Sequence, residues 1–201
     1  MSVNTEYFVI ESTNNNNYPL LEWDDDEDLE IPLAHSARDG IPLPVPLPHP
    51  IKLVLGEPIP RKPQMVDFHE LPEPVVGKKI KDVLEPLSID GIQLLPAVVT
   101  TDFGVFDYWY LHVYNEIECM DRDRSISTYS NLGDASDIKK LVLAEHELDS
   151  IPLDMRLIFV LKESTPTYLF HQSIVDKILA VKPEGVRFFR VDQWSHGSAF
   201  V

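Results

Sequence analysis

Eleven of the 17 prolines in this 201-residue chain fall between positions 32 and 74. Proline fixes its own φ and has no amide donor, so a stretch this rich in it excludes a long helix or a central strand. From Ile41 to Pro50 every second residue is proline, which favours an extended polyproline-type strut of about 30 Å at 3.1 Å per residue. The strut prolines sit only at even positions, so no two stand three apart and no PxxP register exists there. Pro60 and Pro63 have that spacing around Arg61, as a single match. The strut reads as a rigid arm packed along a domain surface, because Ile41, Leu43, Val45 and Leu47 would otherwise face water. An adaptor that uses the strut to engage another protein is the alternative.

The chain divides near residue 75, into an acidic, proline-rich segment (1–75) packed on the core and a conventional part (76–201). Ahead of the prolines, Tyr7, Phe8, Val9 and Ile10 predict a short buried strand, and Asn14 to Asn17 a turn. Trp23 then stands among Glu22, Asp24, Asp25, Asp26, Glu27, Asp28 and Glu30. Like charges this close repel and leave a segment extended and solvated. The sharper reading is a docking loop, with Trp23 as an aromatic anchor inside an acidic rim.

In the second part, Lys78 to Glu85 predicts a short helix stopped by Pro86, with Ile80, Val83, Leu84 and Leu87 on one face. Ile92 to Thr100 predicts a strand interrupted at Pro96. Phe106 to Ile117 has the strongest alternation: Tyr108, Tyr110, His112 and Tyr114 share one face, and Trp109, Leu111 and Val113 the other. Ile138–Leu143, Leu157–Leu161 and Tyr168–Phe170 have strand length. Ser173 to Val181 reads as a helix capped by Ser173, with Asp176 at capping-box spacing. Val186 to Val191 closes as a strand entered through Gly185. Strands outnumber helices without regular alternation, so the fold class is α+β, with a largely antiparallel or mixed sheet and a few short helices.

The polar residues form no recognisable catalytic pattern. Asp121 and Asp123 follow an apolar strand where a DxD metal motif would lie. Arg122 and Arg124 flank them, and no glycine-rich phosphate loop accompanies them. A charged turn is the simpler reading; a carboxylate-based enzyme acting on a sugar or small substrate through Asp121 and Asp123 is the alternative. Cys119 has no family signature around it. Glu145, His146 and Glu147 match neither HExxH nor any CxxC-based zinc site, and Ser195 to Ser198 do not make GxSxG. No cofactor and no metal are implied.

The chain carries 33 acidic against 17 basic residues, a net charge of -16. That field repels nucleic-acid phosphates and favours fast capture of a basic protein. A single cysteine excludes an internal disulfide and fits a reducing compartment. No Lys or Arg precedes Arg38, so the basic start of a secretory signal is missing, and no apolar run nears the ~18 residues of a membrane helix. These features predict a soluble, cytoplasmic protein.

From Gly91 to Trp194 the order of patterns is informative. Gly91-Ile-Gln-Leu-Leu-Pro96 precedes the aromatic strand Tyr108-Trp-Tyr-Leu-His-Val-Tyr-Asn115, then Glu116-Ile-Glu-Cys-Met-Asp121 and the Arg124-Ser125 step. Leu157-Ile-Phe-Val-Leu161, Thr165-Pro-Thr-Tyr-Leu-Phe170, the 173–180 helix and Gly185-Val-Arg-Phe188 follow. This order resembles immunity-protein family 11 of bacterial polymorphic toxin systems. Two departures stand out: no Arg follows Phe159, and His112 stands where an apolar residue or Asn is commoner. The resemblance covers the last 100 to 120 residues or so, and leaves the proline-rich first part without a counterpart. It implies a non-enzymatic protein that binds a co-encoded toxin, basic at the contact surface, and blocks it. Trp23, Asp24, Asp25, Asp26, Glu27, Asp28, Asp121 and Asp123 are the candidate partner-binding residues. The oligomeric state is not fixed by the sequence.

Overall fold

Side chains on successive strand residues point to opposite faces, and here that alternation sorts the apolar ones into three layers. The computed structural model of the chain describes residues 2–24, 40–131 and 133–198. In chain order the elements are β1 (Tyr7–Ser12), β2 (Leu21–Trp23), β3 (Ile51–Leu55), β4 (Phe68–His69), β5 (Val75–Val76), α1 (Lys78–Leu84), β6 (Ile92–Thr101) and β7 (Gly104–Val113). Then come β8 (Glu116–Ile117), β9 (Ile126–Tyr129), β10 (Ala135–Lys140), α2 (Glu145–Asp149), β11 (Ile158–Leu161), β12 (Tyr168–His171), α3 (Gln172–Ala180) and β13 (Val186–Arg190). The fold is α+β with mixed sheets and short helices. One sheet has the order β2-β3-β6-β7-β5-β4, with β3–β6 its parallel pair. The other runs β13-β1-β12-β11-β8, with β8–β11 parallel, and β9 and β10 form a separate ribbon.

The central core lies between the two sheets. Leu111 and Val113 of β7, Ile158 and Val160 of β11 and Phe170 of β12 meet there with Ile80 and Leu84 of α1 and Ile174, Val175 and Ile178 of α3. An outer core lines the far face of the five-stranded sheet, where Tyr7, Val9, Phe159, Leu161 and Leu169 pack with Cys119, Ile138, Leu148 and Trp194. A second outer core lines the far face of the six-stranded sheet, with Leu21, Leu53, Val99, Tyr108 and Tyr110. The strut contributes to that last core. Leu43 is buried and Leu47 packs against it, while Ile41 and Val45 are exposed. Two bonds fasten Leu43: its N–H donates to Gln93 Oε1 (2.8 Å), and Gln93 Nε2 donates to its carbonyl (2.9 Å).

Several local expectations need correction. The proline-rich stretch does hold an interior strand: β3 lies between β2 and β6, in the proline-free gap from Ile51 to Gly56. Pro96 does not interrupt β6. The β3 ladder starts at Ile51↔Ala97, so Pro96 stands at the end of that ladder, where a missing donor is tolerated. The aromatic strand stops at Val113, because the Tyr114 and Asn115 amides both donate to the Gly91 carbonyl (2.9 and 3.1 Å) and the chain crosses to the other sheet as β8. Gly91 has φ +80°, and a Cβ there would lie 2.2 Å from Asn115 Cβ. The 138–143 run is strand only to Lys140, with Leu143 in an isolated bridge to Met120. The cap of α3 is His171, whose Nδ1 accepts from the Ser173 amide at 3.2 Å, not Ser173 itself. Asp176 accepts instead from Gln172 Nε2 at 2.6 Å, one turn back.

Candidate docking surface

Trp23 ends the edge strand β2, opposite Leu53 of β3. Odd positions of β2 face the outer core of the six-stranded sheet, so the indole lies partly buried, 6.0 Å from the Tyr110 ring. It is packed against its own domain as well as open to solvent. Glu22, one residue earlier, points the other way and is exposed. Asp24 is half-buried, and its amide donates to the Lys52 carbonyl at 3.3 Å. Asp25, Asp26, Glu27 and Asp28 lie outside the described residues.

Asp121 and Asp123 sit elsewhere. Asp121 follows Met120, a member of the outer core on the five-stranded sheet, so both sheets separate this turn from Trp23. The Asp121 carboxylate is committed to its own turn: Oδ1 accepts from the amides of Asp123 (3.2 Å) and Arg124 (3.0 Å), and Oδ2 pairs with Arg124 Nε at 3.3 Å. Asp123 is exposed. The sequence-predicted residues therefore occupy two distant surfaces. Among the described residues, no group of three or more His, Cys, Asp or Glu side chains could hold a metal ion.

The remaining reactive side chains are tied into the packing. Cys119 is 1% exposed, and burial, reinforced by Glu163 and Glu147, pushes its thiol well above the ordinary range. A thiol held protonated is a poor nucleophile. His196 pins β10, accepting from the Ile138 amide through Nδ1 (3.0 Å) and donating its own amide to the Ile138 carbonyl (2.9 Å). Glu145, His146 and Glu147 are exposed on α2.

Two carboxylates escape the sequence reading. Glu11 is buried and accepts from Trp194 Nε1 at 2.5 Å; burial raises its pKa, and Glu70 adds to the rise. Glu73 accepts from the Tyr168 hydroxyl, whose pKa is raised by burial and by that carboxylate. Neither signals itself by spacing, because each partner lies far along the chain. His69 is likewise buried, with Nδ1 3.1 Å from the Pro19 carbonyl, and desolvation lowers its pKa to about 4. Neutral, it donates from Nδ1.

No helix among the described residues is long and apolar enough to cross a membrane. The model of the Immunity protein family (Imm11) matches residues 6–193. The match extends well before Gly91 and takes in the proline-rich stretch together with β1 to β5. No curated protein matches the chain.

Proposed function

The chain belongs to the immunity protein family Imm11, and from that premise we propose that it binds a cognate toxin encoded beside it and blocks that toxin's activity. Family membership gives it a role in toxin immunity. The mode of action proposed here is stoichiometric contact, inside the producing cell, with no bond made or broken by its own side chains. The family match over 6–193 is the observation that carries this reading. The net charge of -16 supports a partner that is basic at the contact surface, because complementary fields speed encounter and suppress wrong partners.

A stable inhibitory interface buries about 1,600 Å² and is held by a few desolvated anchors within a charged rim. The proposed docking element is the stretch opened by Trp23 and Asp24 and continued by Asp25, Asp26, Glu27 and Asp28. Asp121 is assigned to holding its turn. Asp123, exposed beside it, lies on the far side of both sheets from Trp23 and is left out of the proposed element.

Co-expression tests the proposal. Cells producing the toxin encoded next to this gene should grow when the full chain is present and die when it is absent. Failure to rescue, with both proteins detected, would end the proposal.

A further inference from the structure

Among the described residues, no layer covers one face of the tip half of the β6–β7 hairpin. On that side of the sheet, Ile92, Leu94, Trp109, Leu111 and Val113 belong to the central core beneath α1 and α3. Toward the hairpin tip the same face continues through Val98 and Thr100 of β6, Val105 and Asp107 of β7, and Val54 of β3, which pair side by side. None of these is in any core. Val105 is 67% exposed and Phe103, in the tip turn, 51%. The cause is length: β6 and β7 have ten residues each, whereas β11 and β12 have four, so the hairpin overhangs the opposing sheet. At the tip an open groove of about 500 Å³ is lined by Val54, Leu55, Ile59, Pro60, Pro63 and Phe103, among others.

Around this face four described acidic side chains, Glu22, Asp24, Asp102 and Asp107, stand against three basic ones. Glu22, Asp102 and Asp107 are exposed and engaged in no ion pair among the described residues. Lys52 is half-buried on the same face, and Arg61 and Lys62 are exposed between the two lining prolines. Even positions of β2 share this face, so Glu22 borders Val54, and the acidic stretch that starts at Asp24 begins beside it. An apolar centre with unpaired carboxylates on its rim fits a basic surface carrying an apolar knob.

We propose that this hairpin face, uncovered among the described residues, and its tip groove seat the cognate toxin through an apolar side chain flanked by Lys or Arg. The inference rests on the toxin-binding function proposed above and adds a second contact, on the sheet face opposite Trp23 and beside the stretch that starts at Asp24. Exposed residues are the right probes, because changing them spares the fold.

The test uses the purified full chain and a catalytically dead version of the neighbouring toxin, titrated by calorimetry and interferometry. Val105→Arg should weaken binding about 30-fold or more, as loss of an interface hot spot does. Asp102→Lys with Asp107→Lys should slow association about tenfold at low salt, with the difference shrinking as salt rises. Ile126→Arg, on the β9–β10 ribbon, should bind like the parent. A parent chain that does not bind the toxin overturns the function itself. If the parent binds and both hairpin variants bind within twofold of it, the hairpin location alone is overturned. The location fails equally if Ile126→Arg is the variant that weakens, or if Val105→Arg breaks a dimer of this chain without changing toxin affinity. Should Val105→Arg lose the parent's circular dichroism, Val105→Ser and the charge reversals decide.

Discussion

The two halves of the β6–β7 hairpin share strands and alternation yet differ in what lies above them. Over the open end of the hairpin, the face toward the other sheet reads Ile92, Leu94, Leu111 and Val113, all apolar, and α1 and α3 cover it. Over the tip, the same face reads Val98, Thr100, Val105 and Asp107, apolar and polar mixed, and nothing described covers it. The opposite face stays apolar along most of the hairpin, with Leu95, Ala97, Val99, Tyr108 and Tyr110, because an outer core runs beneath it. Polar residues thus enter this face only where the described cover ends, within a single pair of strands. A binding protein can keep a half-apolar face in water when charge on that face and its rim limits self-association.

The sharpest way to break the comparison is to cut into the covered half. Leu111 is 1% exposed, wedged under the helices. Leu111→Ala should cost about 2–5 kcal/mol, the transfer term plus the cavity left behind, read as a lower urea midpoint. A loss under about 1 kcal/mol would mean the central core is looser than its geometry.

Cover has an electrostatic consequence as well. His69, on β4 at the edge of the same sheet, is 4% exposed and stays neutral in the folded chain down to about pH 4, whereas the unfolded chain protonates below 6.5. Between those values the unfolded state binds more protons. Its contribution is therefore complete above pH 6.5 and falls away as pH drops toward 4, by about 3 kcal/mol. His69→Asn keeps a donor for the Pro19 carbonyl and removes the titration. Melting curves from pH 7 to 4.5 should fall more steeply for the parent than for the variant; parallel curves would place a proton on His69 in the fold.

The third measurement concerns the strut over the other face of the sheet. Gln93→Ala removes both bonds to Leu43 and should cost about 1–2 kcal/mol, with faster amide exchange around Leu43. Unchanged exchange would show that Leu43 is held by packing alone.

How much of this was legible in the sequence depends on element length. The alternation from Tyr108 to Val113 sorted its side chains onto the observed faces, because long periodic runs carry their own signal. Strands β4 and β5, two residues each, have no period to detect and exist only through pairing with distant chain. β3 was hidden by its proline neighbours, although Ile51 to Leu55 is itself a good strand sequence. The α3 cap was misassigned by two residues, because an imidazole nitrogen can accept where a hydroxyl was expected. Of the candidate site, the acid-ringed Trp23 was visible as composition. Its partial burial against Tyr110 was not, and neither was the overhang, since cover is a property of two sheets.

The smallest expected effect is also the one that carries the comparison. Val105 stands in β7 six residues before Leu111, on the same face, and has the same strand propensity context. If burial alone separates the two halves, Val105→Ala should change stability by no more than about 0.5 kcal/mol, as exposed positions do. The urea slope should stay the same, because no surface is newly exposed. A cost of about 2 kcal/mol or more would mean that the tip face is covered in the free protein. Any partner of this face would then have to displace that cover before docking, and association would become slow and independent of partner concentration at saturation. A near-zero cost leaves Val105 free to be judged by binding alone.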